Sequence, residues 1–137
     1  MSSFSEEITV NVNPERIFTL YEDVPNWKQW DTDVTSSSIS GPFTAGAIGT
    51  LKPTKGPATK IEIVSVEKNK SFTVQSSLPL CTMTVEHELF PVQSSTRVIH
   101  RISFAGPLSF FFGWVVGSLI RKGLPGTLRG LKQAVET

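Results

Sequence analysis

Both histidines of the protein lie in one segment, HELFPVQSSTRVIH, which runs from His87 to His100. Two imidazoles close together could bind a metal ion or transfer protons near neutral pH. A zinc site, however, needs three or four ligands. Cys81 lies six residues before His87, about 20 Å along an extended strand, and Glu86 and Glu88 point to the opposite face of that strand. The sequence therefore predicts no metal site here.

The spacing of this segment predicts a β-hairpin that brings the two histidines together. Alternate positions share a face of a strand, and each apolar face contains one histidine: Cys81, Met83, Val85, His87 and Leu89 on the first strand, and Val98, His100, Ile102 and Phe104 on the second. A two-residue turn at Gln93–Ser94 would pair His87 with His100, and Glu86 with Arg101 on the outer face. Three interpretations remain open: the imidazoles orient a ligand, move one of its protons, or satisfy each other and their surroundings.

The segments around this hairpin predict the elements that position it. FSEEITVNV alternates like a half-buried strand, and Asn13 and Pro14 then begin a helix. PNWKQWD reads as a second short helix that carries Trp27 and Trp30. Between residues 34 and 104, turn signals separate six further β-rich runs. An apolar stripe at helical spacing follows to the end of the chain, and its Gly123 and Pro125 predict a kink or break near residues 121–125.

The composition excludes several classes of protein. Hydrophobic residues make up 39% of the chain and charged residues 18%, which is typical of a globular domain. A net charge of +1 without a basic run gives no reason to expect a nucleic-acid partner. The single cysteine and the lack of a signal peptide predict a cytoplasmic protein. The most apolar stretch, PLSFFFGWVVGSLI, is too short for stable membrane insertion.

This order of elements predicts one α+β domain over residues 1–137. A seven-stranded curved antiparallel sheet would wrap around the long C-terminal helix, with two short helices after the first strand. A curved sheet that grips a helix leaves a hollow between them, and such hollows are common sites for small molecules.

The chain resembles the START-like, or Bet v 1-like, helix-grip superfamily (SRPBCC). Within it, the chain is most similar to the polyketide cyclase/dehydrase and lipid-transport group. The resemblance rests on four segments: ITVNVNPERIFTLYEDVPNWKQWD, GPFTAGAIGTLKP, LPL…EHELFPV and ISFAGPLSFFFGWVVGSLIRKGLPGTLRGLK. None of them is a catalytic motif, so they identify an architecture better than a reaction. The resemblance implies a ligand such as a lipid, an isoprenoid, a quinone or a polyketide-like molecule.

The residues expected to contact such a ligand face the hollow. They are Trp30, Met83, Val85, His87, His100, Phe104, Phe111, Val115 and Leu119. The function predicted first is non-covalent binding of a small hydrophobic or amphipathic molecule, without a cofactor. Two alternatives stay open: a cyclase or dehydratase in which His87 or His100 moves a proton, and a protein-interaction module.

The apolar helix residues Phe110, Trp114 and Val116 have no clear place in this scheme. If they are exposed, they form a patch suited to homodimerisation or lipid contact.

Overall fold

The computed structural model describes residues 2–136, so Met1 and Thr137, the two ends of the predicted domain, lie outside the described residues. It contains seven strands. Their bounds are β1 Ser2–Val10, β2 Val34–Ile39, β3 Ile48–Pro53, β4 Thr59–Glu67, β5 Ser71–Leu78, β6 Cys81–Val92 and β7 Ser95–Ala105. All neighbouring strands are antiparallel, in the spatial order β1-β7-β6-β5-β4-β3-β2. The predicted α+β helix-grip fold is confirmed.

Helix α1, Pro14–Glu22, follows β1 directly, and its start agrees with the cap expected from the sequence. The side-chain oxygen of Asn13 accepts a hydrogen bond from the backbone N–H of Arg16 at 3.2 Å, and Pro14 occupies the first turn. A 3₁₀ helix, Val24–Gln29, comes next and is the second of the two predicted short helices. The buried face of α1 includes Tyr21.

Helix α2, Ser109–Glu136, is continuous, so Pro125 does not break it. The kink that was the other expectation near residues 121–125 stays a prediction. Pro125 removes one backbone donor from the helix. Leu124 and Leu128, on either side of it, are both buried, so tertiary contacts support the helix on both sides of the proline.

The face of α2 that meets the sheet differs from the expected one. Phe112, Val116 and Ile120 pack against a core cluster of Cys81, Ile102, Phe104 and Leu124. Phe111, Val115 and Leu119, which were expected in the core or the cavity wall, are 50%, 42% and 46% exposed.

Spacing could not choose between these two series, because both are apolar and both repeat every four residues. The tertiary contacts of α2 decide between them, and Gly117 marks one point where the helix lies close to the sheet. A Cβ atom at this position would lie 3.3 Å from the ring of Phe104. The missing side chain lets the backbone of α2 approach the sheet closely at this point.

The packing of α2 is uneven across the sheet. The helix contacts β1, β7 and β6, at one side of the concave face. The partly exposed series with Phe111, Val115 and Leu119 is the apolar face of α2 that this packing leaves uncovered. This asymmetry shapes the candidate site described next.

Candidate functional site: a buried imidazole cluster and a cleft beside α2

The two histidines are cross-strand neighbours, as the turn length predicted. His87 pairs with His100 and Glu86 with Arg101 in the β6–β7 register. The imidazole centroids lie 4.5 Å apart with the rings at 72°. On the outer face, Arg101 Nη1 lies 3.2 Å from a carboxylate oxygen of Glu86 and 2.7 Å from one of Glu88. These half-exposed ion pairs agree with the register and leave the imidazoles on the inner face, where Ser76 and Thr96 are also buried.

Each imidazole has a different hydrogen-bond partner. His100 Nε2 lies 2.8 Å from the hydroxyl oxygen of Tyr21, on helix α1. His87 Nδ1 lies 3.2 Å from the backbone carbonyl oxygen of Phe72, on β5. Because a carbonyl oxygen only accepts, His87 donates from Nδ1. The Tyr21–His100 bond connects α1 to the sheet, and the His87–Phe72 bond connects β6 to β5.

Aromatic rings enclose the imidazole pair. The Phe72 ring stacks on His87 with centroids 3.9 Å apart and 6° between the planes. Tyr21 packs 4.8 Å from Phe72 and 5.5 Å from His87. Trp30 completes the enclosure at 5.7 Å from Tyr21 and 6.4 Å from His100. We call Tyr21, Trp30, Phe72, His87 and His100 the imidazole cluster.

Burial keeps the ionisable members of this cluster neutral. Loss of hydration lowers the pKa of His87 to about 3, although its bond to the Phe72 carbonyl partly opposes the change. The pKa of His100 is also well below its ordinary value, first because of burial and then because of His87. Burial raises the pKa of Tyr21. Both imidazoles are therefore neutral at physiological pH. Within residues 2–136, no three His, Cys, Asp or Glu side chains form a group that could hold a metal ion.

The cluster contains one donor without a partner. Trp30 is 4% exposed, and the part of the chain that the structure describes offers no acceptor to its indole Nε1–H. An unsatisfied buried donor costs about 1–3 kcal/mol. By contrast, the indole Nε1–H of Trp27 donates to the Tyr21 carbonyl at 2.9 Å. Trp30 thus presents a hydrogen-bond donor that an oxygen atom of a ligand or a water molecule could satisfy.

A cleft of about 250 Å³ opens beside the middle of α2. It lies between the helix and the β3–β4 connection, and it is lined by Asp33, Pro53, Thr54, Lys55, Leu119, Ile120, Lys122 and Gly123. Its walls are apolar on the helix side and carry two lysines and one aspartate at the edge. Partial burial raises the pKa of Asp33, and the charge of Lys55 partly offsets this effect.

Comparison with known families identifies the architecture. The family model described as polyketide cyclase / dehydrase and lipid transport matches residues 1–136. The chain belongs to this family. Among curated proteins, none matches the chain. Family membership supports the binding of hydrophobic molecules in general and does not select a ligand class.

Solved structures with the same fold differ strongly in sequence. Protein MLL2253 from Mesorhizobium loti is 17% identical with a TM-score of 0.76, and the match covers 98% of this chain and 97% of that one. Ara h 8.0201 is 14% identical with a TM-score of 0.73, covering 98% and 97%. Norcoclaurine synthase from Thalictrum flavum is 17% identical with a TM-score of 0.71, covering 98% and 86%. At these identities the likeness concerns the fold alone.

In this family member, the residues expected to contact a ligand fall into three environments. Trp30, His87 and His100 belong to the imidazole cluster. Phe104 belongs to the core cluster beneath α2 and is fully buried against Gly117, and Met83 and Val85 pack against that cluster but are only partly buried. Leu119 lines the cleft, whereas Phe111 and Val115 lie on the half-exposed face of α2. No single pocket therefore contains the whole set.

Two residues of the cluster were missed by the sequence analysis. A two-residue turn at Pro79–Leu80 pairs Leu78 with Cys81 and, six pairs further on, Phe72 with His87. The same turn arithmetic that paired the histidines could have found Phe72. The sequence signal for Tyr21 is weaker. A tyrosine on the buried face of a helix needs a hydrogen-bond partner for its hydroxyl, but the sequence does not identify that partner.

In the part of the chain that the structure describes, no helix combines the length and the apolar content needed to cross a membrane.

Proposed function

We propose that the protein binds one small hydrophobic or amphipathic molecule between the sheet and α2, and that the cleft is its entrance. The observation that carries this proposal is the uneven packing of α2. The helix covers β1, β7 and β6, while the large apolar side chains of Phe111, Val115 and Leu119 stay half exposed, and Leu119 lines the cleft together with Ile120. A lipid, an isoprenoid, a quinone or a polyketide-like molecule has the apolar surface to cover them.

Burial of apolar surface would supply most of the affinity, at about 25 cal/mol per Å² removed from water. The cleft of about 250 Å³ is smaller than the roughly 300–1,000 Å³ of most ligand pockets. A larger ligand therefore needs α2 to move away from the β3–β4 connection. Such a movement opens the cleft towards the partly buried Met83 and Val85.

The polar end of the ligand would be oriented by the imidazole cluster. Trp30 Nε1–H is buried and has no acceptor within residues 2–136, and a carbonyl or hydroxyl oxygen of a ligand would satisfy it. His100 lies 6.4 Å from the Trp30 ring, His87 lies next to His100, and both imidazoles are neutral. Neutral donors suit an uncharged oxygen better than a carboxylate, whose transfer into this low-polarity region would cost far more free energy.

Leu119→Gln is expected to weaken ligand binding about fivefold, because a half-buried leucine contributes on the order of 1 kcal/mol of apolar contact. The probes are oleyl alcohol, decylubiquinone and emodin, each titrated by native mass spectrometry and by tryptophan fluorescence. Val92→Gln removes an equally exposed apolar side chain at the far end of β6, and it should leave the affinity unchanged. Solvent extraction of the purified protein would reveal a ligand that it already carries.

Three results would count against binding in this site. The first is a protein purified without ligand whose melting temperature ignores all three probes. The second is saturable binding that both variants weaken equally. The third is binding that neither variant weakens. In the last two cases the ligand lies elsewhere on the molecule.

A cyclase or dehydratase activity is a second candidate, and the hydrogen bond between Tyr21 and His100 favours it. A tyrosine hydroxyl bonded to an imidazole is a pair that can transfer protons. If it does, Tyr21→Phe should lower the turnover of a poly-β-ketone substrate by at least about a hundredfold while the affinity for that substrate stays nearly constant. Equal turnover by wild type, Tyr21→Phe and His100→Ala would eliminate this role.

A further inference from the structure

The most exposed large apolar side chains of the protein form one surface. Phe110 is 86% exposed, Trp114 72% and Leu80 66%. The first two lie one helical turn apart on α2, and Leu80 is joined to this end of α2 because its carbonyl accepts a 3.0 Å bond from the Leu108 N–H. We call Leu80, Leu108, Phe110, Phe111, Trp114 and Val115 the aromatic face. Water-soluble monomers rarely expose connected apolar surfaces of this kind without a binding partner.

The charges next to the aromatic face are mostly positive. Between Glu88 and Glu136 the sequence contains no Asp or Glu. Arg121 and Lys122 follow the aromatic face on α2, and both are exposed. Lys55 lines the cleft together with Lys122, and Asp33, which also lines it, lies within the electrostatic reach of Lys55. An apolar aromatic surface with a mostly cationic border is complementary to a surface of hydrocarbon bordered by anions.

We propose that the aromatic face docks on an anionic lipid bilayer. Phe110 and Trp114 enter the headgroup region, where aromatic rings are favoured, and Arg121 and Lys122 pair with lipid phosphates. The helix then lies in the plane of the interface instead of crossing the bilayer. The positive border strengthens this docking on anionic membranes and makes it sensitive to salt.

A second copy of the chain fits this surface less well. In a two-fold dimer the same patch meets itself, so Arg121 and Lys122 of both copies would approach each other across the interface. This half of α2 carries no carboxylate that could neutralise them. An anionic lipid surface supplies negative charge opposite Arg121 and Lys122, whereas a symmetric dimer would place a second set of positive charges there.

Docking would also bring the cleft to the membrane. Leu119 lies one helical turn beyond Val115 of the aromatic face and lines the cleft. A docked protein therefore presents the cleft near the headgroups, where an amphipathic molecule could leave the bilayer and enter. This last step rests on the proposed ligand binding, whereas docking itself does not.

The test is flotation of the full chain with vesicles of phosphatidylcholine alone or mixed with phosphatidylglycerol. We expect binding to the mixed vesicles, and a blue shift of the fluorescence. Trp27 and Trp30 are already buried, so the shift reports Trp114. Phe110→Ser/Trp114→Ser should weaken partitioning at least about tenfold, and Arg121→Gln/Lys122→Gln roughly thirtyfold. High salt should reproduce the effect of the second pair.

The control is Phe90→Ser/Val92→Ser, which removes two half-exposed apolar side chains, one of them aromatic, from the far end of β6 and should leave partitioning unchanged. Circular dichroism confirms that each variant folds.

Wild type that fails to float with mixed vesicles, or that floats equally with neutral ones, overturns the proposal. A dimer that Phe110→Ser/Trp114→Ser dissociates, without vesicle binding, would instead assign the aromatic face to a second copy. Because no cleft ligand is needed for flotation, a failure of docking and a failure of ligand binding give different results.

Discussion

Acidification from neutral pH to about pH 4 is expected to lower the free energy of unfolding by several kcal/mol. The imidazoles of His87 and His100 are the cause, because both are buried and neutral in the folded protein. The pKa of His87 is lowered to about 3 and that of His100 lies well below the ordinary 6.5. Each pKa unit corresponds to about 1.4 kcal/mol.

The sign of the effect follows from where the protons bind. Below pH 6.5 the histidines of the unfolded chain become protonated, whereas in the folded protein His87 stays neutral until the pH approaches 3 and the pKa of His100 is also well below 6.5. The unfolded state thus binds more protons in this range, and stability falls as the pH falls. The stabilisation from the neutral histidines is complete above their pKa in the unfolded chain. It is lost as the pH falls towards their lower pKa in the folded protein.

Asp31 acts in the opposite direction. Burial raises its pKa from 3.8 to about 6, against the hydrogen bonds from the Asp33 N–H and the Thr127 hydroxyl. The folded protein therefore takes up this proton before the unfolded chain does. Its contribution to stability is present below pH 3.8 and is lost as the pH rises through about 6. Asp31 should offset part of the histidine effect between these two values.

Urea unfolding at a series of pH values measures these contributions. His87→Gln/His100→Gln keeps polar side chains of similar size and should flatten the dependence on pH below 6.5. Asp31→Asn removes the opposing group and should make it steeper. A wild type equally stable at neutral and acidic pH, or a histidine double variant with an unchanged slope, would show that the imidazoles are not the source.

Gly130→Ala is expected to destabilise the protein by at least about 2 kcal/mol. In an exposed helix the same change stabilises by about 1 kcal/mol, because alanine has the higher helix propensity. At Gly130, however, a Cβ atom would lie 2.2 Å from the backbone carbonyl oxygen of Trp30. Backbone cannot move aside cheaply, so α2 and the segment that holds Trp30 must separate.

Gly126→Ala is the matched control, one turn earlier on the same helix. There the nearest atom to a new Cβ is the Thr32 hydroxyl oxygen at 3.6 Å, an ordinary contact. This variant should be more stable than wild type by up to about 1 kcal/mol. Thermal and urea unfolding of both variants give the comparison, and equal stabilisation of the two would contradict the close approach at Gly130.

Much of the sheet could be predicted from the sequence because its determinants are local. Period-two alternation identified the inner faces of β6 and β7, and the length of the Gln93–Ser94 turn set their register. Once a turn length is known, every pair along the hairpin follows, including His87 with His100. The start of α1 was predictable for the same reason, because Asn13 and Pro14 act on their own neighbours.

The orientation of α2 could not be predicted, because it depends on contacts between residues far apart in the chain. Two apolar series one residue apart satisfied the helical period equally well. In the structure the second series faces the sheet, and Gly117 lets α2 approach the Phe104 ring closely. Whether Pro125 breaks the helix also depends on tertiary contacts: the helix continues through it, and Leu124 and Leu128 on either side are buried.

The imidazole cluster depends on both local sequence patterns and tertiary contacts. The sequence by itself determined that the apolar faces of two neighbouring strands each carry one histidine, and that a two-residue turn would place these histidines opposite each other. Only the tertiary structure decided that the turn has this length, that Tyr21 of α1 binds His100 and that aromatic rings enclose the pair. It also decided that the indole N–H of Trp30 has no acceptor within residues 2–136. Those contacts depend on how the helices settle on the curved sheet, and no local pattern in the chain encodes that position.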